Sequence, residues 1–185
     1  MTYAFQACRH TRVPCRSRSQ WLHLEALEDR AMLSLYTVDH LADDMVGDGF
    51  NGSLRYCITN ATDGDSIQFS IIGTINLTRA LPNLTHSISI EGPGPDLLTV
   101  RRDMGASYGI FAVLALGSVG IAGLGITNGD APFGGGGIFN SGNLTVSNCS
   151  IWNNVAGSPY VDESGGGGGI FNSGHLTVSK CSILE

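Results

Sequence analysis

The chain has 185 residues, of which 42% are hydrophobic, 14% are charged and 26 are Gly. That size and apolar content suit one domain with a core and exclude a wholly disordered chain. Glycine without a three-residue period and only 6 Pro exclude collagen. A net charge of −6 argues against a nucleic-acid partner, which would need clustered Lys and Arg.

Residues 1–34 are a basic head. They hold Arg9, Arg12, Arg16, Arg18 and Arg30 against Glu25, Glu28 and Asp29, or 5 − 3 = +2. The remaining residues hold five bases and 13 acids, or 5 − 13 = −8, so a boundary is expected near Ser34. The head has no apolar run of secretory type. It reads either as a leader of another kind or as a solvated, poorly ordered N-terminus. Cys8 and Cys15 lie in it, and Cys57, Cys149 and Cys181 lie in the body. None has zinc-type spacing.

Residues 35–66 are expected to form an N-terminal cap. Within it, SLRYCITNA (53–61) predicts one short helix, with Ser53 as N-cap and Leu54 and Ile58 on one face. The Asp-rich stretch Asp39, Asp43, Asp44, Asp48 and Asn51 is the one candidate for Ca²⁺. It lacks EF-hand spacing, so a solvated acidic loop is the expectation and no cofactor is assigned. Asp63 and Asp65 flank Gly64 in a predicted turn before a strand from Ile67.

Gly109–Ile126 carries no charge and reaches the length of a membrane span. Its glycines disfavour a helix and its second half alternates, so it predicts buried strands. No transmembrane helix is expected.

The strongest signal is duplication. GGGGIFNSGNLTVSNCSI (134–151) recurs at 166–183 with two changes, Asn143/His175 and Asn148/Lys180. SVGIAGLGITNG (118–129) is a weaker copy of 143–154, and NLTHSISIEG (83–92) a fainter echo. Each unit holds two short apolar runs, too short for helices. One unit cannot bury its own apolar face, so units must stack. Stacking places like on like: Asn140 on Asn172 as a ladder, and Cys149 on Cys181 as a buried pair or a disulfide. Leu144, Val146, Cys149 and Ile151 are expected to point inward, with a kink near Ser147–Asn148. The Gly runs at 134–137 and 165–169 are expected to turn corners with positive φ.

GGGIFNSGNLTVSNCSIWNN resembles the repeats of right-handed parallel β-helix proteins of bacterial surfaces. These include the polymorphic outer-membrane-protein type and the wider pectin-lyase-like fold. Residues 37–69 are similar to the N-terminal segment of such proteins, with Gly-Ser-Leu-Arg-Tyr-Cys (52–57) where the family has Cys-Ser-Leu-Arg-Glu-Ala. LEALEDRAMLS (24–34) is similar to a leader on large exported planctomycete proteins. The resemblance implies an all-β parallel β-helix with a short N-terminal capping helix. Its units would run over 67–185, and the destination would be extracellular or the cell surface.

The implied function is an adhesive or glycan-associating scaffold, with polysaccharide or cell-surface components as partners and no catalysis in these residues. The alternatives are a lyase or hydrolase of acidic polysaccharide and a purely structural stalk. Trp152, Tyr160, Asp162 and Glu163 are the candidate ligand contacts, because aromatic faces stack on sugars and insertions build solenoid binding faces. Trp152, Tyr160 and Phe133 are expected outside the repeated strands. Arg101, Arg102 and Asp103, read as one loop, are the other charged cluster; adjacent residues would point to opposite faces if they lay on a strand. The five His form no recognisable motif with a nucleophile. With no cap after Ile183, self-association through the last unit and a longer natural chain are both expected.

Overall fold

The computed structural model describes residues 33–132, 134–157 and 167–184. Cys8, Cys15, Phe133, Tyr160, Asp162 and Glu163 lie outside them. The chain divides into Met1–Arg30 and Ala31–Glu185, close to the charge boundary. The described strands and helix all belong to the second unit.

Strands dominate, and they are short. β1 (Leu35–Val38), β2 (Gly47–Asp48) and β3 (Asn51–Gly52) precede the single described helix, α1 (Leu54–Asn60). β4 (Ser66–Phe69), β5 (Gly73–Leu77), β6 (Ser89–Glu91) and β7 (Leu98–Arg102) come next. The apolar segment then gives β8 (Phe111–Val113), β9 (Ser118–Ala122) and most of β10 (Gly125–Thr127), and β11 (Asp130–Ala131) follows it. It is therefore broken into strands, as its alternation predicts. Among the described residues no helix is long and apolar enough to cross a membrane.

The first clear repeat gives β12 (Ile138–Asn140), β13 (Asn143–Ser147), β14 (Ser150–Trp152) and β15 (Val155–Ala156). The second gives β16 (Ile170–Asn172), β17 (His175–Ser179) and β18 (Ser182–Ile183).

Successive units pair strand on strand. The first column is a three-stranded sheet, β16-β12-β8. The second is an eight-stranded sheet, β17-β13-β9-β6-β4-β1-β3-β2, and the third a five-stranded sheet, β18-β14-β10-β7-β5. A pair, β11-β15, completes the set. Every pairing is parallel except β2 with β3. The duplicated units stack in register: Ile138 faces Ile170, Leu144 faces Leu176 and Ile151 faces Ile183. The weaker copy holds too, with Ser118 opposite Asn143 and Ile126 opposite Ile151.

The echo at 83–92 is placed differently from its spelling. Leu84 bridges to Val113 in the first column, whereas Ile90 faces Ile121 in the second. Asn-Leu-Thr at 83–85 thus occupies a different position from Asn-Leu-Thr at 143–145. A three-residue match cannot fix register, which the buried Ile90 sets through its face.

One core joins the three main sheets. Ile67, Ile90, Ile121 and Val146 come from the second column, Val100, Ile126 and Ile151 from the third, and Val113 and Ile138 from the first. Leu144 and Cys149 are buried with them, as their spacing predicts. Burying each of the larger aliphatic side chains contributes about 1.5–3 kcal/mol. At the kink, Asn148 takes φ 51° and Lys180 φ 53°.

The glycine runs work otherwise than expected. Among their described members only Gly134 has positive φ. Gly136 and Gly137 give the neighbouring unit's backbone room: a Cβ on Gly137 would lie 2.5 Å from the Gly169 carbonyl oxygen. Apart from Gly134, the described members are places of close approach and not left-handed corners.

At the N-terminal side, β1 pairs with β4, so residues 35–66 contribute a strand to the second column. The Ser53 hydroxyl accepts from the Tyr56 amide at 3.0 Å and caps α1. Leu54, Cys57 and Ile58 are buried in the core beneath that cap. Burial pushes the Cys57 thiol up to about 12.

Candidate functional site

Several singled-out residues are structural. Asp43 is not in a solvated loop: its side chain is 2% exposed and Arg55 is 4% exposed beside it. Arg55 Nε donates to Asp43 Oδ1 at 2.8 Å, and Nη2 donates to Oδ2 at 3.0 Å. The guanidinium also donates to the Arg79 and Ala80 carbonyls, while the Thr78 amide donates to Asp43. Burial alone would raise the Asp43 carboxyl, but Arg55 and Thr78 outweigh it and hold it low. Composition cannot distinguish this aspartate from its neighbours, because its partners lie 12 and 35 residues away.

Two other acids of that stretch are engaged locally. Asp39 and Asp44 both reach His40, at 2.6 and 3.2 Å. Hydrogen bonds to Asp39 and Asp44 raise the His40 pKa. Among the described residues no three His, Cys, Asp or Glu gather as a metal-holding group.

The ladder forms. Asn140, fully buried, donates to Asn172 Oδ1 at 2.6 Å and to the His175 carbonyl at 3.0 Å. Cys149 and Cys181 are free thiols, and the Cys149 amide donates to Cys181 Sγ at 3.4 Å. Burial pushes the Cys149 thiol up to about 11, which suits a core residue rather than a nucleophile. A second buried amide is Asn154, which takes the Gly129 amide on Oδ1 and gives to the Ile126 carbonyl. Its place beside Asn153 in the repeated tail is the only sequence signal for it.

Trp152 is different. It is the last residue of β14, within the repeated strand rather than in a corner loop. In the third column Ile75, Val100, Ile126, Ile151 and Ile183 share one register position. The next position reads Asn76, Arg101, Thr127 and Trp152. The alternation of strands turns this second row away from the core.

A cleft of about 480 Å³ lies along it, lined by Thr74, Thr99, Arg101, Met104, Thr127 and Trp152, among others. The half-buried indole leans over Gly125, where a Cβ would sit 2.9 Å from Trp152 Cη2 and 2.8 Å from Thr99 Oγ1. Gly125 thereby provides the space for the aromatic platform. A glycine opposite a small hydroxyl residue is the sequence signal that could have located it.

Arg101 and Arg102 lie at the end of β7 and not in a loop, and strand alternation separates them. Arg102 is consumed by the structure: it donates to the Asn128 carbonyl at 2.8 Å and to the Asp103 and Ala106 carbonyls, and lies 5.8 Å over the Tyr108 ring. Arg101 has a 44% exposed side chain and stands 3.9 Å from Asp103 Oδ1. It faces the cleft. The cleft therefore combines an aromatic face, hydroxyls, an amide and a guanidinium, a set suited to binding a polar ligand with an apolar face. Comparison with protein-family models, curated proteins and solved structures gives no match.

Proposed function

We propose that this chain is a secreted or cell-surface protein of right-handed parallel β-helix type, and that it acts as a glycan-associating, adhesive scaffold without catalysis in these residues. The in-register parallel stacking of the repeats supports the architecture. The observation that carries the function is the Trp152 cleft: a polar, aromatic face built on rigid strands. Sugars present hydroxyl edges and apolar C–H faces, and this cleft offers counterparts for both.

Lyase chemistry would need a base and clustered charge at one place. Arg102 is already committed to backbone carbonyls, which leaves that reading without support from this cluster. The test is affinity electrophoresis of the whole chain through gels containing neutral or acidic polysaccharides. Retardation by at least one polysaccharide, abolished in Trp152→Ala, is expected. Free migration through all of them would overturn the reading.

A further inference from the structure

The Arg101–Asp103 pair restricts what the cleft can take. An arginine alone beside an aromatic platform would favour a carboxylate or sulfate. Here the guanidinium has an acid 3.9 Å away, so both signs stand together at the Arg101 side of the cleft. Asp103 Oδ1 also accepts from the Met104 amide at 2.8 Å, while Oδ2 makes no hydrogen bond within the described residues. Arg101, which lines the cleft, thus presents donors, and Asp103, beside it and next to the lining residue Met104, presents an unshared acceptor. A vicinal pair of sugar hydroxyls, each both donor and acceptor, complements that arrangement. The chain's net charge of −6 adds repulsion against any polyanion.

Distance sets the ligand's length. Arg101 and Trp152 flank Thr127 in one row, with their backbones two strand spacings apart, or about 9.6 Å, and the indole leaning over Gly125 within that span. That is the reach of a disaccharide, with one ring on the indole and its neighbour at the charged pair. We infer that the Trp152 cleft binds an uncharged, hydroxyl-rich glycan, at least a disaccharide long, through stacking on Trp152 and paired hydroxyl contacts to Arg101 and Asp103. This rests on the glycan-associating reading of the same cleft and narrows its ligand class.

The experiment is calorimetric titration of the whole chain with neutral tetrasaccharides (glucan, mannan and galactan types) and with a tetragalacturonate of equal length. Binding to at least one neutral ligand and not to the uronate is expected, little changed between low and moderate salt. Trp152→Ala should weaken it tenfold or more, and Trp152→Phe should retain part of it. Asp103→Asn should weaken neutral binding and raise uronate binding, because it leaves Arg101 unopposed. Preference of the unmodified protein for the uronate would overturn this inference while leaving a glycan-binding protein. Neutral binding indifferent to both Trp152→Ala and Asp103→Asn would overturn the assignment to this cleft. Binding of no tetrasaccharide, with no retardation on any polysaccharide gel, would overturn both readings.

Discussion

Two rows of the third sheet lie one residue apart and follow opposite rules. The inward row, Ile75, Val100, Ile126, Ile151 and Ile183, is aliphatic throughout. The outward row, Asn76, Arg101, Thr127 and Trp152, never repeats a side chain. The inward row must fill the same space in every unit, because close-packed interiors penalise both voids and excess volume. The outward row is less constrained: Thr127 is buried among its neighbours, but Asn76 and Arg101 are exposed and Trp152 is half-buried. The duplication therefore explains the stacking, and the positions where it fails to repeat are where binding chemistry can differ from unit to unit.

The sharpest test of that division is the polar pair that breaks it. Asp43 and Arg55 are charged yet turned inward. Removing one partner by Arg55→Ala or Asp43→Ala should cost about 3–5 kcal/mol, because it leaves a buried charge uncompensated. Denaturant titration should show the loss, and replacing both residues should cost less than the sum of the two.

Acid unfolding gives a second view. Asp43 and Asp65 both have lowered folded-state pKa values: burial opposes ionisation, but Arg55 and Thr78 prevail at Asp43, and the Thr62 and Ser34 amides prevail at Asp65. Their contribution is present above the unfolded value of about 3.9 and is lost as pH falls through the lower folded values. Asp43→Asn and Asp65→Asn should each flatten the pH dependence of stability in that acid window.

Next in size comes the aliphatic row itself. Ile126→Ala should cost about 2–5 kcal/mol through lost burial and the cavity left behind. Asn140→Leu in the buried ladder should cost about 1–3 kcal/mol, since it strands the Gly142 amide, which now donates to Asn140 Oδ1 at 3.1 Å. Equal losses at inward and outward positions would refute the division.

These positions also show what the sequence could disclose. The repeat made Ile126, Ile151 and Asn140 legible, because a side chain that recurs every unit must stack on its copy. The Ser53 cap was legible because its partner is three residues away. The buried state of Asp43 was not, since it depends on Arg55, Thr78 and the carbonyls near Arg79 meeting in space. The platform under Trp152 was half legible. The indole stood out, but the Gly125 that makes room for it belongs to the preceding unit, and aligning the two copies sets Gly125 opposite Ser150 without showing which side chain leans over it.

The smallest expected stability effect tests the comparison at its finest grain, between adjacent residues of β7. Arg102→Ala removes donors from the Asn128, Asp103 and Ala106 carbonyls and the guanidinium that lies over the Tyr108 ring. It should cost about 1–3 kcal/mol. Arg101→Ala removes a side chain whose one charged neighbour among the described residues is Asp103 at 3.9 Å, partly in water. An exposed pair of that kind contributes about 0–1 kcal/mol, so the thermal midpoint should barely move. Glycan affinity should respond in the reverse order: Arg101→Ala should lose it, and Arg102→Ala should keep it wherever the protein remains folded. Two neighbouring arginines with opposite effects on stability and binding would separate scaffold from site at single-residue resolution, whereas a shared fall in both quantities would mean that the outward row also supports the fold.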